Sequence, residues 1–238
     1  MTGKDKMNSP QKTARVAAFV FLIVFGLGIS SELFVLGDII VPGDAATTVN
    51  NIVASESLFR LALVGGLVRQ MFLLLLVLVL FKLLKSVNKT IALLMVIFAL
   101  VSIPITMLNE LNHFAVLLLS SGADYVTAFE ADQLHTLVMF FLDLRAYGTS
   151  IPGIFSLWLL LQGYLVFKSG FLPRILGILL MIGGLCYSIL AVLFFLFPNV
   201  DATILGVFAF AGEVLFYLWL LIKGVNIKEW EKRALESA

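Results

Sequence analysis

Residues 58–84 read LFRLALVGGLVRQMFLLLLVLVLFKLL, and this stretch decides the fold class. Most of its side chains are leucine and valine, and its charged side chains are Arg60, Arg69 and Lys82. An α-helix needs about 20 predominantly apolar residues to cross the hydrocarbon core of a bilayer, which is about 30 Å thick. The stretch therefore predicts a transmembrane helix.

The composition of the whole chain agrees with this prediction. Of its 238 residues, 61% are hydrophobic and 13% are charged, and the mean hydropathy is +1.07. Soluble domains contain only about 45–50% apolar residues. Long apolar runs predict an all-α, polytopic membrane protein, with six transmembrane helices in a single integral membrane domain. The predicted spans are residues 14–36, 58–84, 90–108, 146–167, 173–197 and 202–222.

The distribution of Lys and Arg predicts the orientation, because short cytoplasmic loops are enriched in basic residues. Six spans place 13 of the 16 Lys and Arg on one side, and the loops on the other side contain acidic residues but no Lys or Arg. We therefore expect a multi-pass protein of the bacterial inner (plasma) membrane, with its N- and C-termini cytoplasmic. The net charge of +1 gives no reason to expect nucleic acid as a partner.

Two of the outer loops are too long to be simple turns. In residues 37–57, Gly43-Asp44 predicts the N-cap of a short helix that runs to Ala54. In residues 109–144, apolar arms on both sides of a turn at residues 121–124 predict helical extensions of the neighbouring spans. Together these segments predict a helical cap on the outer side.

The second arm and the fourth span are continuous in sequence. A helix from Asp132 to Phe167 would be roughly 54 Å long, which exceeds the thickness of a bilayer. We therefore expect a break near Gly148 or Pro152, the positions where a helix is most easily interrupted.

Two ionisable side chains are expected close to the middle of the membrane. Helical rise places Arg69 roughly 18 Å, and Glu213 about 17 Å, below the outer boundary. A charge at that depth costs about 2.5–3.5 kcal/mol even on a lenient scale. One carboxylate at the same depth neutralises an arginine most simply, so we predict an Arg69–Glu213 pair between the second and sixth spans.

Other ionisable side chains lie near the outer boundary by the same count, and they predict a second, wetter cluster beneath the cap. These are Glu32, Arg60, Glu110, Asp143 and Arg145. The two arginines have an alternative, because a long basic side chain can extend to the outer headgroups. The sequence leaves this alternative open.

Two carboxylate-x-x-His pairs, Glu110 with His113 and Asp132 with His135, flank the turn of the long outer loop. Side chains at i and i+3 adjoin on a helix, which is how helix bundles present ligands to a di-iron centre. Such a centre also needs carboxylates from two further helices, and no spacing in this chain requires them. We therefore predict no metal site and no cofactor, with these four residues as the weak metal candidates.

The chain resembles a bacterial multi-pass membrane family known as domain of unknown function 4386. The segments that carry the likeness are residues 9–15, 31–34, 58–60, 83–89, 108–112, 119–125 and 170–177, the last of which reads GFLPRILG. The resemblance implies a six-helix inner-membrane protein with no established activity, and a family polar set that includes Glu32, Arg60, Glu110, Asn112 and Asp143. By the same resemblance, this chain differs from the family at two positions. Members of the family commonly have an acidic residue at the position of Gly66 and a histidine at that of Arg145.

Three functions are consistent with the sequence. The first is an outward-facing polar cavity within the membrane that binds or translocates a small ligand or ion. The second is a structural or regulatory membrane subunit, and the third is an enzyme that acts on a lipid or quinone. An enzyme is the less favoured, because no pattern of nucleophile and base is evident. The residues assigned to the cavity are Glu32, Arg60, Arg69, Glu110, Asn112, His113, Asp143, Arg145 and Glu213.

Overall fold

The computed structural model describes residues 9–154, 156–197 and 199–236, and these residues are almost entirely helical, with no β-strand among them. The α-helices are α1 (Pro10–Ile29), α2 (Gly37–Ile39), α3 (Ala45–Ala54), α4 (Glu56–Leu84), α5 (Lys89–Asn109), α6 (Leu111–Leu119), α7 (Ala131–Gly148), α8 (Ile151–Ile154), α9 (Leu157–Ser169), α10 (Arg174–Leu196), α11 (Thr203–Ile222) and α12 (Ile227–Glu236). A π-helical segment, Ser30–Leu36, connects α1 to α2, and a 3₁₀ turn, Asp124–Ala128, precedes α7. The predicted all-α class is confirmed.

Five helical stretches of this described part are long and apolar enough to cross a bilayer. They are Pro10–Ile39, Glu56–Leu84, Lys89–Leu119, Arg174–Leu196 and Thr203–Ile222. Each of them overlaps one of the six predicted spans. The chain is therefore compatible with a membrane-embedded protein, as its composition predicts.

The predicted fourth span, residues 146–167, does not form one long helix. Helix α7 ends at Gly148, α8 is a single turn, and α9 begins at Leu157. The predicted break near Gly148 or Pro152 is confirmed, and its physical reason is that proline cannot donate a backbone hydrogen bond. The 13 residues of α9 rise only about 20 Å, so a sixth crossing of the membrane stays a prediction.

The chain folds into two compact units. Unit 1 comprises the described residues of Met1–Leu22, Phe72–Ile103 and Ser150–Ala238, and unit 2 comprises Ile23–Met71 and Pro104–Thr149. Helices α1, α4 and α5 contribute residues to both units.

Glycines allow three helices of unit 1 to approach closely. A Cβ atom placed on Gly163 of α9 would lie 2.6 Å from the carbonyl oxygen of Gly177 on α10. A Cβ atom on Gly183 of α10 would lie 2.9 Å from the carbonyl oxygen of Ala209 on α11. Because non-bonded carbon and oxygen atoms do not approach this closely, helices α9, α10 and α11 require glycine at these contacts.

Helix α12 also belongs to unit 1, and the sequence pattern does not predict it. The indole Nε1 of Trp230 donates a hydrogen bond to the carbonyl oxygen of Leu83 on α4, at 3.0 Å. The guanidinium Nη2 of Arg233 donates one to the carbonyl oxygen of Lys168 on α9, at 3.1 Å. These bonds hold α12 against the ends of two other helices. Its sequence contains no long apolar run that would have indicated it.

Unit 2 has its own apolar core, formed by the segment before α3 and by α3, α4, α6 and α7. The core residues are Leu36, Ile39, Ile52, Phe59, Ala62, Val116, Leu117, Val138 and Leu142. Helix α3 begins at the predicted N-cap, because Asp44 accepts a hydrogen bond from the backbone N–H of Thr47 at 2.9 Å. Helices α6 and α7 confirm the predicted helical arms. Their position outside the bilayer stays a prediction.

Candidate functional site

Arg145 connects two carboxylates in unit 2. Its Nη1 and Nη2 atoms donate hydrogen bonds to Oε2 and Oε1 of Glu32 at 3.1 and 2.5 Å. Its Nη2 atom also lies 3.3 Å from Oε1 of Glu110. The two hydrogen bonds to Glu32 form a bidentate contact, which fixes the plane of the guanidinium group and pairs its charge with a carboxylate. Sequence reasoning expected these three residues in one cluster, and the structure brings them together.

His113 extends the group further into the unit. Its Nδ1 atom lies 2.9 Å from Oε2 of Glu110, and its ring packs edge-on against Phe59, with the ring centroids 5.1 Å apart. The Nε2 atom of His113 is buried and has no hydrogen-bond partner among the residues that the structure describes. We refer to Glu32, Glu110, His113 and Arg145 as the Arg145 cluster.

The exposure of these side chains decreases along the Arg145 cluster. Glu32 is 48% exposed, Arg145 11%, Glu110 7% and His113 2%. The cluster therefore begins at the surface of unit 2 and ends at an imidazole that is almost fully buried. Ionic side chains this deeply buried are normally found with partners, and each of these has one.

The electrostatic environment keeps Arg145 charged. Burial alone would lower the pKa of its guanidinium, but the hydrogen bonds and negative charges of Glu32 and Glu110 raise the pKa above its usual value. Two carboxylates, Glu32 and Glu110, face one guanidinium, so these three side chains carry a formal charge of −1.

Local backbone structure places each of these groups. Glu32 lies in the π-helical segment Ser30–Leu36, and π-helical turns occur often at functional sites. Glu110 lies at the junction of α5 and α6. Arg145 lies in the last turn of α7. Three interruptions of regular helix thus bring one charged side chain each to the same place.

Two glycines make room for the Arg145 cluster. A Cβ atom on Gly66 of α4 would lie 3.2 Å from the carboxyl carbon of Glu110. A Cβ atom on Gly148 would overlap the side-chain amide of Asn109, whose Nδ2 atom donates a hydrogen bond to the carbonyl oxygen of Arg145 at 2.8 Å. Gly66 and Gly148 therefore permit the carboxylate of Glu110 and the end of α7 to take their observed positions.

The remaining outer candidates do not join the Arg145 cluster. Arg60 forms an ion pair with Glu56 one turn away, at 2.7 Å, and both side chains are about half exposed. Asn112 donates hydrogen bonds to the backbone and side-chain oxygens of Asn109. Asp143 is exposed and lines a separate cleft of about 440 Å³ with residues of the segment before α3.

The predicted Arg69–Glu213 pair would connect the two units, since Arg69 lies in unit 2 and Glu213 in unit 1. Within unit 2, a Cβ atom on Gly28 would lie 3.2 Å from Nε of Arg69. That Nε atom is buried and has no hydrogen-bond partner among the described residues. The pair itself stays a prediction.

The weak metal candidates are split between two places. Glu110 and His113 contact each other within the Arg145 cluster, whereas Asp132 is exposed and His135 is partly buried in the first turns of α7. The described residues contain no group of three or more His, Cys, Asp or Glu side chains that could hold a metal ion.

Sequence reasoning missed Asn109 and Phe59, and it missed Glu56 as the partner of Arg60. Glu56 and Arg60 are four residues apart, the spacing of a helical ion pair, so this contact was visible in the sequence. Asn109 stands beside Glu110 in the segment 108–112 that carries the family likeness, and this was a partial signal. Phe59 is one of many apolar residues in its run, and only the fold reveals its contact with His113.

A family model and a curated relative both match this chain. The family model described as "Domain of unknown function (DUF4386)" matches residues 16–224 of this chain. A protein of Archaeoglobus fulgidus, described as "Uncharacterized protein", is 43% identical over 75 residues, which cover 32% of this chain and 44% of that protein. The chain thus spans less than half the length of this relative. No solved structure matches the chain.

Proposed function

We propose the following function from the geometry of unit 2 in this chain, which belongs to the family named domain of unknown function DUF4386. The chain is an integral membrane protein of the multi-pass type, and its Arg145 cluster binds or translocates a small ligand or ion. The ion that fits best is a small cation, with the proton as the smallest. The cluster opens toward the outer side of the membrane, because the positive-inside distribution of Lys and Arg puts the junction of α5 and α6 on that side.

One observation carries this proposal. Arg145 contacts the half-exposed Glu32 and the buried Glu110 at the same time, and Glu110 in turn contacts His113. A continuous row of charged and titratable groups therefore runs from the surface of unit 2 into its interior. Ionisable groups within membrane helices are costly to insert and commonly mark ion pathways.

The charge of the Arg145 cluster favours a cation over an anion. Two carboxylates outnumber one guanidinium, so the addition of a single positive charge makes the cluster neutral. The buried Nε2 atom of His113 is the point where such a charge would end, because it is an unused donor or acceptor at the inner end of the row.

Proton flux in reconstituted vesicles tests the proposal. The protein is placed in phosphatidylglycerol and phosphatidylethanolamine vesicles that contain a pH-sensitive dye, and a pH gradient is imposed. We expect wild-type vesicles to dissipate the gradient faster than protein-free vesicles, and Glu110→Gln to remove the difference. Glu231→Gln, which changes an exposed glutamate of α12, is the matched control and should behave like the wild type.

Binding without transport is tested separately. Na⁺, K⁺ and protons are titrated against the purified protein, and the temperature of unfolding is followed in wild type and Glu110→Gln. The proposal predicts that a cation stabilises the wild type more than the variant. Equal responses of both proteins, together with the absence of flux, would reject a cation site.

A structural role is the second candidate, and a specific observation favours it. The Arg145 cluster joins the π-helical segment, the α5–α6 junction and α7, so it could serve only to fix their packing. In that case Glu110→Gln would lower stability equally at all cation concentrations. This outcome differs from the one expected for an ion site, so the same titration separates the two functions.

A further inference from the structure

A second charged site lies in unit 1, where α12 meets the connection between α9 and α10. A cleft of about 420 Å³ opens between these segments. The α9–α10 side supplies Lys168 and Arg174, and α12 supplies Lys232 and Arg233. None of these residues belongs to the Arg145 cluster, and the proposed function makes no use of them.

Two cationic side chains of the cleft lie near the same aromatic ring. The Nζ atom of Lys168 and the Cζ atom of Arg174 lie 5.9 and 5.8 Å from the centre of the same ring, that of Phe167. Arg233 is tied to the same connection, because its Nη2 atom donates a hydrogen bond to the carbonyl oxygen of Lys168. The hydrogen bonds that dock α12 thus bring two distant parts of the sequence to one cleft.

Two glutamates of α12 also line the cleft, and they do not neutralise it. Glu236 lies 3.3 Å from Nη1 of Arg233, and Glu229 is the other carboxylate. Four cationic and two anionic side chains leave a formal charge of +2. In addition, the Nε atom of Arg233 is buried and has no hydrogen-bond partner among the described residues.

A net positive cleft with guanidinium and ammonium donors suits an oxyanion that carries one or two negative charges. Arginine recognises phosphate through paired N–H donors, and lysine adds a compact positive charge. The predicted orientation places α12 and the α9–α10 connection on the cytoplasmic side, where anionic lipids give the membrane surface a negative potential. Basic pockets on the cytoplasmic side of membrane proteins bind phosphorylated headgroups.

We infer that the cleft lined by Lys168, Arg174, Lys232 and Arg233 binds a phosphate group, carried by an anionic phospholipid headgroup or present as free phosphate. The volume of the cleft is sufficient for a phosphate with part of a glycerol backbone. Binding there would fasten α12 to the connection between α9 and α10, because the phosphate contacts residues from both. This site is independent of the ion site in unit 2, so either proposal can fail without the other.

Native mass spectrometry of the full chain in a mild detergent tests the inference. Dioleoylphosphatidylglycerol and dioleoylphosphatidylcholine are added in equal amounts, and the bound fraction of each lipid is measured. We expect the wild type to retain phosphatidylglycerol selectively, and Arg174→Gln with Lys232→Gln to weaken that binding about tenfold or more. Arg233 is left unchanged, since its hydrogen bond to Lys168 helps to dock α12.

Two further variants make the result specific. Lys85→Gln with Lys89→Gln removes the same charge from exposed positions of unit 1 outside the cleft, and it should bind like the wild type. Arg174→Lys with Lys232→Arg preserves both charges and should restore most of the binding. Trp230 fluorescence checks that α12 remains docked in each variant, because its indole donates to the carbonyl oxygen of Leu83.

Inorganic phosphate distinguishes the two sources of the ligand. Phosphatidylglycerol binding that persists in excess inorganic phosphate assigns the cleft to a lipid headgroup. Added mass from phosphate, with displacement of the lipid, assigns it to free phosphate. The inference is overturned if neither molecule binds the wild type better than the Arg174→Gln, Lys232→Gln protein, or if the Lys85→Gln, Lys89→Gln control loses as much binding as that protein.

Discussion

Arg60 and Arg145 belong to the same predicted cluster, and their surroundings differ. Arg60 is 54% exposed and pairs with Glu56 on its own helix. Arg145 is 11% exposed and contacts carboxylates from two other parts of unit 2. A pair in contact with solvent contributes little to stability, whereas a buried charge that loses its partner is strongly destabilising.

The contrast gives a prediction for two matched substitutions. Arg145→Gln should lower the free energy of unfolding by about 3 kcal/mol, since it leaves Glu110 buried without its cation. Arg60→Gln should change it by about 1 kcal/mol or less. Unfolding in mixed micelles of mild detergent and sodium dodecyl sulfate measures both. Equal losses in the two variants would contradict the difference in burial.

The sequence alone could identify Arg145 as a candidate and could not separate it from Arg60. Both arginines lie beside apolar runs, and both had an alternative at the outer headgroups. The separation depends on the third dimension, because Glu32 is 113 residues away from Arg145 along the chain. The local partner of Arg60 was predictable from its spacing alone, and this would have removed Arg60 from the site.

At the scale of single elements, the close contacts in unit 1 depend on missing side chains. Helices α9 and α10 meet where Gly163 faces the backbone of Gly177 and Met181. Gly206 of α11 differs, because a Cβ atom there would meet only the side chain of Leu190, at 3.8 Å. One glycine is required by packing, and the other occupies a position with ordinary space.

Alanine at these two positions should therefore have different effects. Gly163→Ala places a methyl group against the backbone of α10, so we expect a loss of about 2 kcal/mol or more and a lower unfolding temperature. Gly206→Ala should be neutral or stabilise the protein by up to about 1 kcal/mol, since alanine favours the helix. Differential scanning calorimetry of both proteins in the same detergent measures the two unfolding temperatures. An unchanged unfolding temperature for Gly163→Ala would show that α9 and α10 can move apart at little cost.

The N-cap of α3 gives a dependence on pH. A side-chain hydrogen bond from Thr47, and a second one from its backbone N–H, lower the pKa of the Asp44 carboxyl below its ordinary value of 3.8. The stabilisation of α3 by this ionised cap is therefore present above the unfolded-state pKa and is lost as the pH falls through the lower, folded-state pKa.

We expect the amide protection of residues 45–54 to decrease on acidification below about pH 4. Hydrogen exchange with mass spectrometry measures this protection after correction for the intrinsic exchange rate. Asp44→Asn also caps a helix but does not titrate, so it should show no such decrease. A decrease of the same size in both proteins would assign the effect to another group.

The elements differ in how well the sequence predicted them. Long apolar runs indicated α1, α4, α5, α10 and α11, because a bilayer imposes a minimum length on its helices. Asp44 and the break after Gly148 were also predicted, because a cap and a helix breaker act locally. The π-helical segment and α12 were not predicted. The first is a change of helical pitch without a sequence pattern, and the second depends on hydrogen bonds to distant carbonyl groups.

At the scale of the whole molecule, the number of crossings decides which residues share a side. With six crossings, Lys85 and Glu231 are both cytoplasmic, and Ser121 lies outside. With only the five long helices as crossings, Glu231 moves to the same side as Ser121.

Single cysteines distinguish these topologies. In a Cys186→Ser background, we expect Ser121→Cys to react with a membrane-impermeant maleimide on intact cells. Lys85→Cys and Glu231→Cys should react only after the membrane is permeabilised. Lys85 is on the inner side in both topologies and serves as the control, so labelling of Glu231→Cys from outside would reject six crossings.

The interruption between α7 and α9 has a consequence for biogenesis. In the six-crossing topology, the single turn α8 and the bends on either side of it lie within the bilayer, where lipid cannot satisfy any backbone group that lacks a partner in the protein. Gly153 packs against Ala191 and Tyr187 of α10, a helix that leaves the ribosome later. A nascent chain truncated after residue 170 should therefore fail to integrate its fourth segment in the translocon, whereas a chain long enough to include α10 should integrate it.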